Sequence, residues 1–210
     1  MSFLEEAWEE RETTLYRQIF GDVGTKIFPL NHEVFENVFG CKEIDPTWLH
    51  LGVMVSPPSP TRESWVYLTS GMSNPWSSEK KEEFSGLGIE LILESESEMS
   101  IGVEILLNLM AFNILLSVQY YGEKPMLDYG DRVPLKIEPN LTHVVLAEPK
   151  DFPTSFELIS GQVDIIQVVG ITADEFSFAK EHGSLAILEE LEKQNISFSI
   201  VPNRVSVINA

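Results

Sequence analysis

The sequence predicts an α+β fold, a mixed β-sheet packed by helices, and three observations predict it. Short runs rich in Val, Leu, Trp and Tyr, bounded by Pro and Gly, read as strands. A long apolar run from Gly102 to Gly122 reads as a core helix. The strands neither alternate strictly with helices nor gather in one half of the chain, which excludes a regularly alternating α/β sheet.

Phe3, Leu4, Ala7, Trp8, Leu15, Tyr16, Ile19 and Phe20 recur at helical spacing, with Glu5, Glu6, Glu9, Glu10 and Glu12 on the other face. This first helix ends near Gly21. Strands are expected at Lys26 to Leu30, Thr47 to Ser56 and Ser64 to Ser70, with Pro57, Pro58 and Pro60 forming a loop. Asn74 to Gly86 reads as a solvated segment. Ile89 to Leu93 then alternates apolar and acidic residues, as a half-buried strand does. The helix from Gly102 to about Tyr121 approaches bilayer-spanning length, roughly 20 residues. Glu104, Asn108, Asn113, Ser117 and Gln119 interrupt it, and acidic residues flank it instead of Lys or Arg, so it is expected to lie against the sheet, not in a membrane. Further strands are expected at Thr142 to Leu146, Ser155 to Leu158 and Val163 to Val169. A helix from Asp174 to about Lys193 has Thr172 as its N-cap and a break at Gly183. Ile196 to Val201 and Arg204 to Ile208 read as two closing strands around Pro202 and Asn203. No composition shift marks a linker, so residues 1–210 read as one domain.

The 210 residues carry 14 Lys+Arg against 33 Asp+Glu, a formal charge of −19. Such a balance excludes a basic nucleic-acid-binding surface and steers cationic partners toward the chain. Cys41 is the only cysteine, and the N-terminus lacks the basic and apolar regions of a secretory signal, so a cytoplasmic protein is expected. Phosphate-binding loops and cofactor motifs are absent, and Gly86-Leu87-Gly88 lacks the third glycine of a dinucleotide loop. His32, His50, His143 and His182 are scattered. His32-Glu33 meets Glu36 where a second zinc-binding histidine belongs. Cys41 would be a nucleophile only if the fold brought a histidine to it, and reads as a non-catalytic thiol. In Thr69 to Trp76, Pro75 stands where a nucleophile elbow needs its second glycine, so Ser70, Ser73 and Asn74 are expected to satisfy local backbone groups. No enzymatic site emerges.

Two acidic features bear on binding. The Glu-rich face of the first helix reads as a solvated surface. Glu90, Glu94, Glu96 and Glu98 stand at alternate positions on and after a strand, and so form a one-sided row that, next to a sheet edge, either receives a basic ligand or only guards the edge against aggregation.

Three elements carry a family resemblance: the turn Tyr67-Leu68-Thr69-Ser70-Gly71-Met72-Ser73, the element Gly130-Asp131-Arg132-Val133, and the run from Gly161 through Ile165 to Glu175, followed by Gly183 and Leu185 to Leu191. Their order and spacing resemble the suppressor-of-fused domain over about residues 25–193. The resemblance implies a non-enzymatic binding protein, one domain long, without the second domain of the animal members. Those members hold a transcription factor through an extended peptide that adds to sheet edges between their two domains. Asp131 matches the Gly-Asp element at that peptide site and is the contact that carries over. Arg132 stands where the usual pattern has His, which argues against the same ligand. Bacterial single-domain members of similar length include immunity proteins that neutralise toxins, and a basic toxin would suit the acidic balance. The partner-binding residues expected are thus Asp131, Glu90, Glu94 and Glu96. The alternatives are a regulator that sequesters a cytoplasmic signalling or transcription partner by strand addition, and an enzyme with an unrecognised site.

Overall fold

The structure is a computed structural model that describes residues 2–137 and 140–208. Its N-terminal helix starts in a capping box: the Ser2 hydroxyl accepts from the Glu5 amide at 3.2 Å, and the Glu5 carboxylate accepts from the Ser2 amide at 2.7 Å. Helix α1 (Phe3–Glu9) passes through a π-helical turn (Glu10–Leu15) into α2 (Tyr16–Phe20), and Gly21 ends it at φ +82°. The buried positions are Ala7, Arg11, Tyr16 and Phe20. The wider step from Arg11 to Tyr16 comes from the extra residue that a π turn accommodates. That insertion keeps both halves of the helix facing the sheet, while Trp8, expected on the apolar face, is exposed.

Eight strands form one mixed sheet: β1 (Phe28–Pro29), β2 (Gly52–Ser56), β3 (Trp65–Ser70), β4 (Phe84–Ser95), β5 (Arg132–Ile137), β6 (Leu141–Ala147), β7 (Ser155–Leu158) and β8 (Gly161–Thr172). Their order is β1-β2-β3-β4-β8-β6-β5, with β7 also pairing β8. The β4–β8 pair is parallel and the other pairs are antiparallel. Side chains alternate between two covered faces. On β8, Ile166 and Val168 join the core shared with the long helix, whereas Val163 and Ile165 meet Tyr16 and Phe20 on the opposite face. Farther along that second face, Val169 and Ile171 meet the C-terminal helices. Because helices cover both faces, β4 is not half-buried as expected, and its acidic residues point inward.

Helix α4 (Ser100–Ser117) has a mean hydropathy of 1.7, enough in length and composition to cross a membrane. Here Leu106, Leu109, Met110, Ile114 and Leu115 are buried in one core with Tyr67 of β3, Leu91 and Leu93 of β4, and Ile166 and Val168 of β8. Gly102 permits a close approach, since a Cβ there would lie 3.0 Å from the Tyr67 ring. Leu106 and Leu115 are both 0% exposed, so Leu106→Ala or Leu115→Ala should cost about 2 to 5 kcal/mol in denaturant unfolding. A loss near zero would mean that the helix does not form this core.

Several expectations need correction. Pro46 and the Asp45 cap, which accepts from the Thr47 amide at 2.9 Å, turn Pro46–His50 into a 3₁₀ helix, leaving only Gly52–Ser56 as strand. The Lys26 to Leu30 strand shrinks to Phe28–Pro29. Helix α3 (His32–Phe39), capped by Asn31 and closed by Gly40 at φ +70°, was not anticipated. Nor was β5. The two closing strands are absent: Ile200 makes one isolated bridge to Ser95, and the tail instead packs Phe198 and Val207 against helices α5 (Ala173–His182) and α6 (Ser184–Lys193). Those helices match expectation, with Thr172 capping α5 and Gly183 separating the two.

Candidate functional site

The turn after β3 gathers a dense set of hydrogen bonds between the sheet and the N-terminal helix. Glu90 lies beneath it, 2% exposed, and accepts from the Thr69 hydroxyl at 2.6 Å, the Gly71 and Ser73 amides at 3.0 Å each, and the Ser73 hydroxyl at 2.6 Å. Gly71, at φ +122° and pressed against Leu51, supplies one of these amides from a backbone conformation that L side chains rarely adopt. From the π turn above, Arg11 donates to Ser70 at 2.9 Å, Ser73 at 3.0 Å and Asn74 at 2.6 Å, with its guanidinium 4.0 Å from Glu90. Ser70 in turn donates to Glu12, and the Tyr16 hydroxyl donates to the Thr69 carbonyl at 2.7 Å. Ser70, Ser73 and Asn74 thus bond to distant side chains, not mainly to local backbone. With Ser70 and Ser73 at 1% and 0% exposed, neither hydroxyl has room for a substrate. The cluster locks the N-terminal helix to the sheet.

The acidic row divides. Glu90 and Glu94 do share a face, but it is an interior one, and β4 lies between β3 and β8 instead of near an edge. Glu94 accepts from the Ser64 hydroxyl at 2.8 Å and from the Gln167 amide at 3.0 Å. Burial, helped by the charge of Asp151, pushes its carboxyl above the usual range. Glu96 and Glu98, past the end of β4, are exposed. The expected exposed carboxylate row is therefore corrected to two internal acids, Glu90 and Glu94, and two surface ones, Glu96 and Glu98.

Asp131 has a different setting. It is exposed at the start of β5, the last strand of the sheet order, whose outer side has no strand partner among the described residues. One carboxylate oxygen accepts from the Asp128 amide at 3.0 Å, closing the turn that Gly130 makes at φ +84°. The Asp131 carbonyl accepts from the Leu146 amide at 2.9 Å, which anchors the turn to β6. Arg132 is exposed, yet its guanidinium donates to the Ala179 carbonyl at 3.0 Å and the Ser184 hydroxyl at 2.9 Å, tying β5 to the α5–α6 junction. Neighbouring Tyr129 donates to the Ile165 carbonyl at 3.0 Å, and burial together with Asp164, Glu148 and Asp128 pushes its hydroxyl up to about 12. The sequence signal for β5 was the alternation of Val133, Leu135 and Ile137, masked by Pro134. Chemically, this edge offers backbone donors and acceptors to an incoming strand, interrupted where Pro134 lacks an N–H, with a carboxylate at its head.

A family model described as suppressor of fused protein matches residues 47–205, which include β2 through α6, most of the tail and every group of this edge. The chain belongs to the suppressor of fused family. The match begins later and ends later than the resemblance read from the short motifs. Among solved structures, a suppressor-of-fused homolog from Neisseria gonorrhoeae superposes with a TM-score of 0.62 at 16% identity, covering 99% of this chain and 96% of that one. The suppressor of fused of Drosophila gives 0.57 at 16% identity, covering 75% of this chain but 42% of that one. A chain of the Sufu–Fu complex gives 0.56 at 16% identity, covering 86% and 93%. These likenesses establish the suppressor-of-fused fold, a mixed sheet with helices. No curated protein matches in sequence.

Proposed function

We propose that this protein is a non-enzymatic, cytoplasmic binding domain that captures a basic polypeptide by strand addition at β5, and that it serves as an immunity protein against a basic toxin. The observation that carries the reading is an open sheet edge headed by the exposed carboxylate of Asp131, on a chain of net charge −19. A solved relative with the same fold is described as a complex with Fu, which supports a protein partner. An added strand exchanges backbone hydrogen bonds along Arg132–Ile137, and Asp131 meets a Lys or Arg at its end. Charge acts earlier: Glu96 and the other exposed acids raise the encounter rate, an effect screened beyond a Debye length of about 8 Å at 0.15 M salt.

The test is kinetic binding to the products of genes adjacent to this one, at low and high salt. Association should slow about tenfold as salt rises, Glu96→Lys should act on the on-rate, and Asp131→Ala should raise the off-rate about tenfold. Salt-independent association untouched by both substitutions would place the interface elsewhere. The same edge suits a regulator that sequesters a signalling partner. The two roles separate in cells: an immunity partner is toxic when expressed alone and harmless when expressed with this protein.

A further inference from the structure

At the opposite end of the sheet from β5, the molecule has an apolar groove of about 810 Å³. It exists because β1 is two residues long, so the sheet ends abruptly beside the first half of α4. Val55, Trp65 and Tyr67 form its sheet wall, and Met99, Val103 and Leu107 form its helix wall. The volume lies within the range of about 300 to 1,000 Å³ typical of binding pockets.

The charges at its mouth select the occupant. Glu98 and Glu104 line the groove, both exposed and neither with an ion-pair partner among the described residues. The one cation lining it, Lys26, sits 4.3 Å from the centroid of the Phe28 ring, where the aromatic face holds it. An apolar floor beside two carboxylates and a single lysine, a net negative rim on a protein of net charge −19, complements a bulky apolar side chain flanked by Lys or Arg.

We propose that this groove is a second docking surface, which takes an apolar anchor flanked by basic residues from a polypeptide partner. The inference rests on the reading of the protein as a binder of basic polypeptides, and adds a site remote from β5. One basic partner long enough to cross the sheet would engage both surfaces, and the linkage would raise its overall affinity above that of either contact.

The experiment titrates a dye-labelled 18-residue Leu/Lys amphipathic peptide, with a Ser/Lys peptide of equal charge as control, into four proteins and the wild type. The groove variants are Glu98→Gln/Glu104→Gln, which alters only exposed side chains, and Leu107→Gln. The remote variants are Asp131→Ala and Glu181→Gln/Glu189→Gln, the latter removing the same charge from exposed positions on α5 and α6. The Leu/Lys peptide should bind about tenfold tighter than the Ser/Lys peptide, because the apolar anchor is desolvated. Both groove variants should weaken it about fivefold or more, with the remote variants within twofold of wild type. Equal binding of the two peptides, or equal loss from the groove and remote charge pairs, overturns the proposal. Weakening by Asp131→Ala alone also overturns it while leaving the β5 reading intact. Failure of the wild type to bind either peptide at low salt overturns the groove proposal, whereas the β5 reading stands or falls on binding of its own partner.

Discussion

Replacing Glu90 by alanine is expected to cost about 3 to 5 kcal/mol, the largest loss of any acidic position on β4. The side chain accepts four hydrogen bonds, from Thr69, Gly71 and twice from Ser73, in a site that is 2% exposed. Its removal strands those donors without water and leaves the Arg11 guanidinium, 1% exposed, with no nearby counter-charge except Glu12. Glu90→Gln should lose less, since an amide oxygen can still take part of the donor set. Arg11→Ala should also destabilise, and the double variant Arg11→Ala/Glu90→Ala should lose less than the sum, because each single change leaves the other group buried and uncompensated. Urea unfolding of the four proteins measures this directly. A loss below about 1 kcal/mol for Glu90→Ala would show that the turn holds without its carboxylate. A consequence follows for binding studies: Glu90→Lys buries a cation beside Arg11, so lost binding in that variant reports unfolding.

How far the sequence announces the molecule depends on the distance between cause and effect. Thr172, Glu175 and Gly183 are local signals, and they set the start of α5 and its separation from α6 as expected. The largely apolar character of α4, interrupted by Glu104, Asn108 and Asn113 and without flanking Lys or Arg, pointed to cover by the sheet. The face of Glu90, by contrast, was not legible in β4 alone. Alternation of apolar and acidic residues means one wet face unless another element covers it, and that element is the N-terminal helix, far away in sequence. Arg11 sits among five glutamates and gives no sign that a π turn rotates it inward. The tail fails for a related reason. Ile196, Phe198 and Ile200 have strand propensity, but only Ile200 finds a partner, at Ser95, so packing against α5 and α6 decides their conformation. For the candidate site, the Gly130-Asp131 words marked the position, whereas its place at a sheet edge required the pairing of β5 with β6 and the strand order.

The tail's own anchor gives the second large effect. Arg204→Ala should destabilise by about 3 to 5 kcal/mol and release residues 196–208 from α5 and α6. Glu175, 0% exposed, accepts from Arg204 through both oxygens, from the Thr172 amide at 2.9 Å and from the Val207 amide at 2.9 Å, while Arg204 also donates to the Gly170 carbonyl at 3.0 Å. Burial alone would raise the carboxyl of Glu175, but the Arg204 guanidinium and the two amides outweigh it and hold the group below its ordinary value of 4.5. A folded-state pKa below the unfolded one means that the unfolded chain binds the proton first. The stability this group contributes is therefore complete above the unfolded pKa and is lost as pH falls through the folded one. Without Arg204, burial loses its main opponent, the folded pKa rises, and the contribution reverses: stability then declines as pH climbs past the unfolded value. The stability gap between wild type and Arg204→Ala should thus widen from about pH 3 to about pH 6 and level off above that. Arg204→Lys, which keeps the charge but not the two-pronged contact, should fall between them. A gap that stays constant across this range would mean that the loss comes from tail packing, with Glu175 indifferent to its partner.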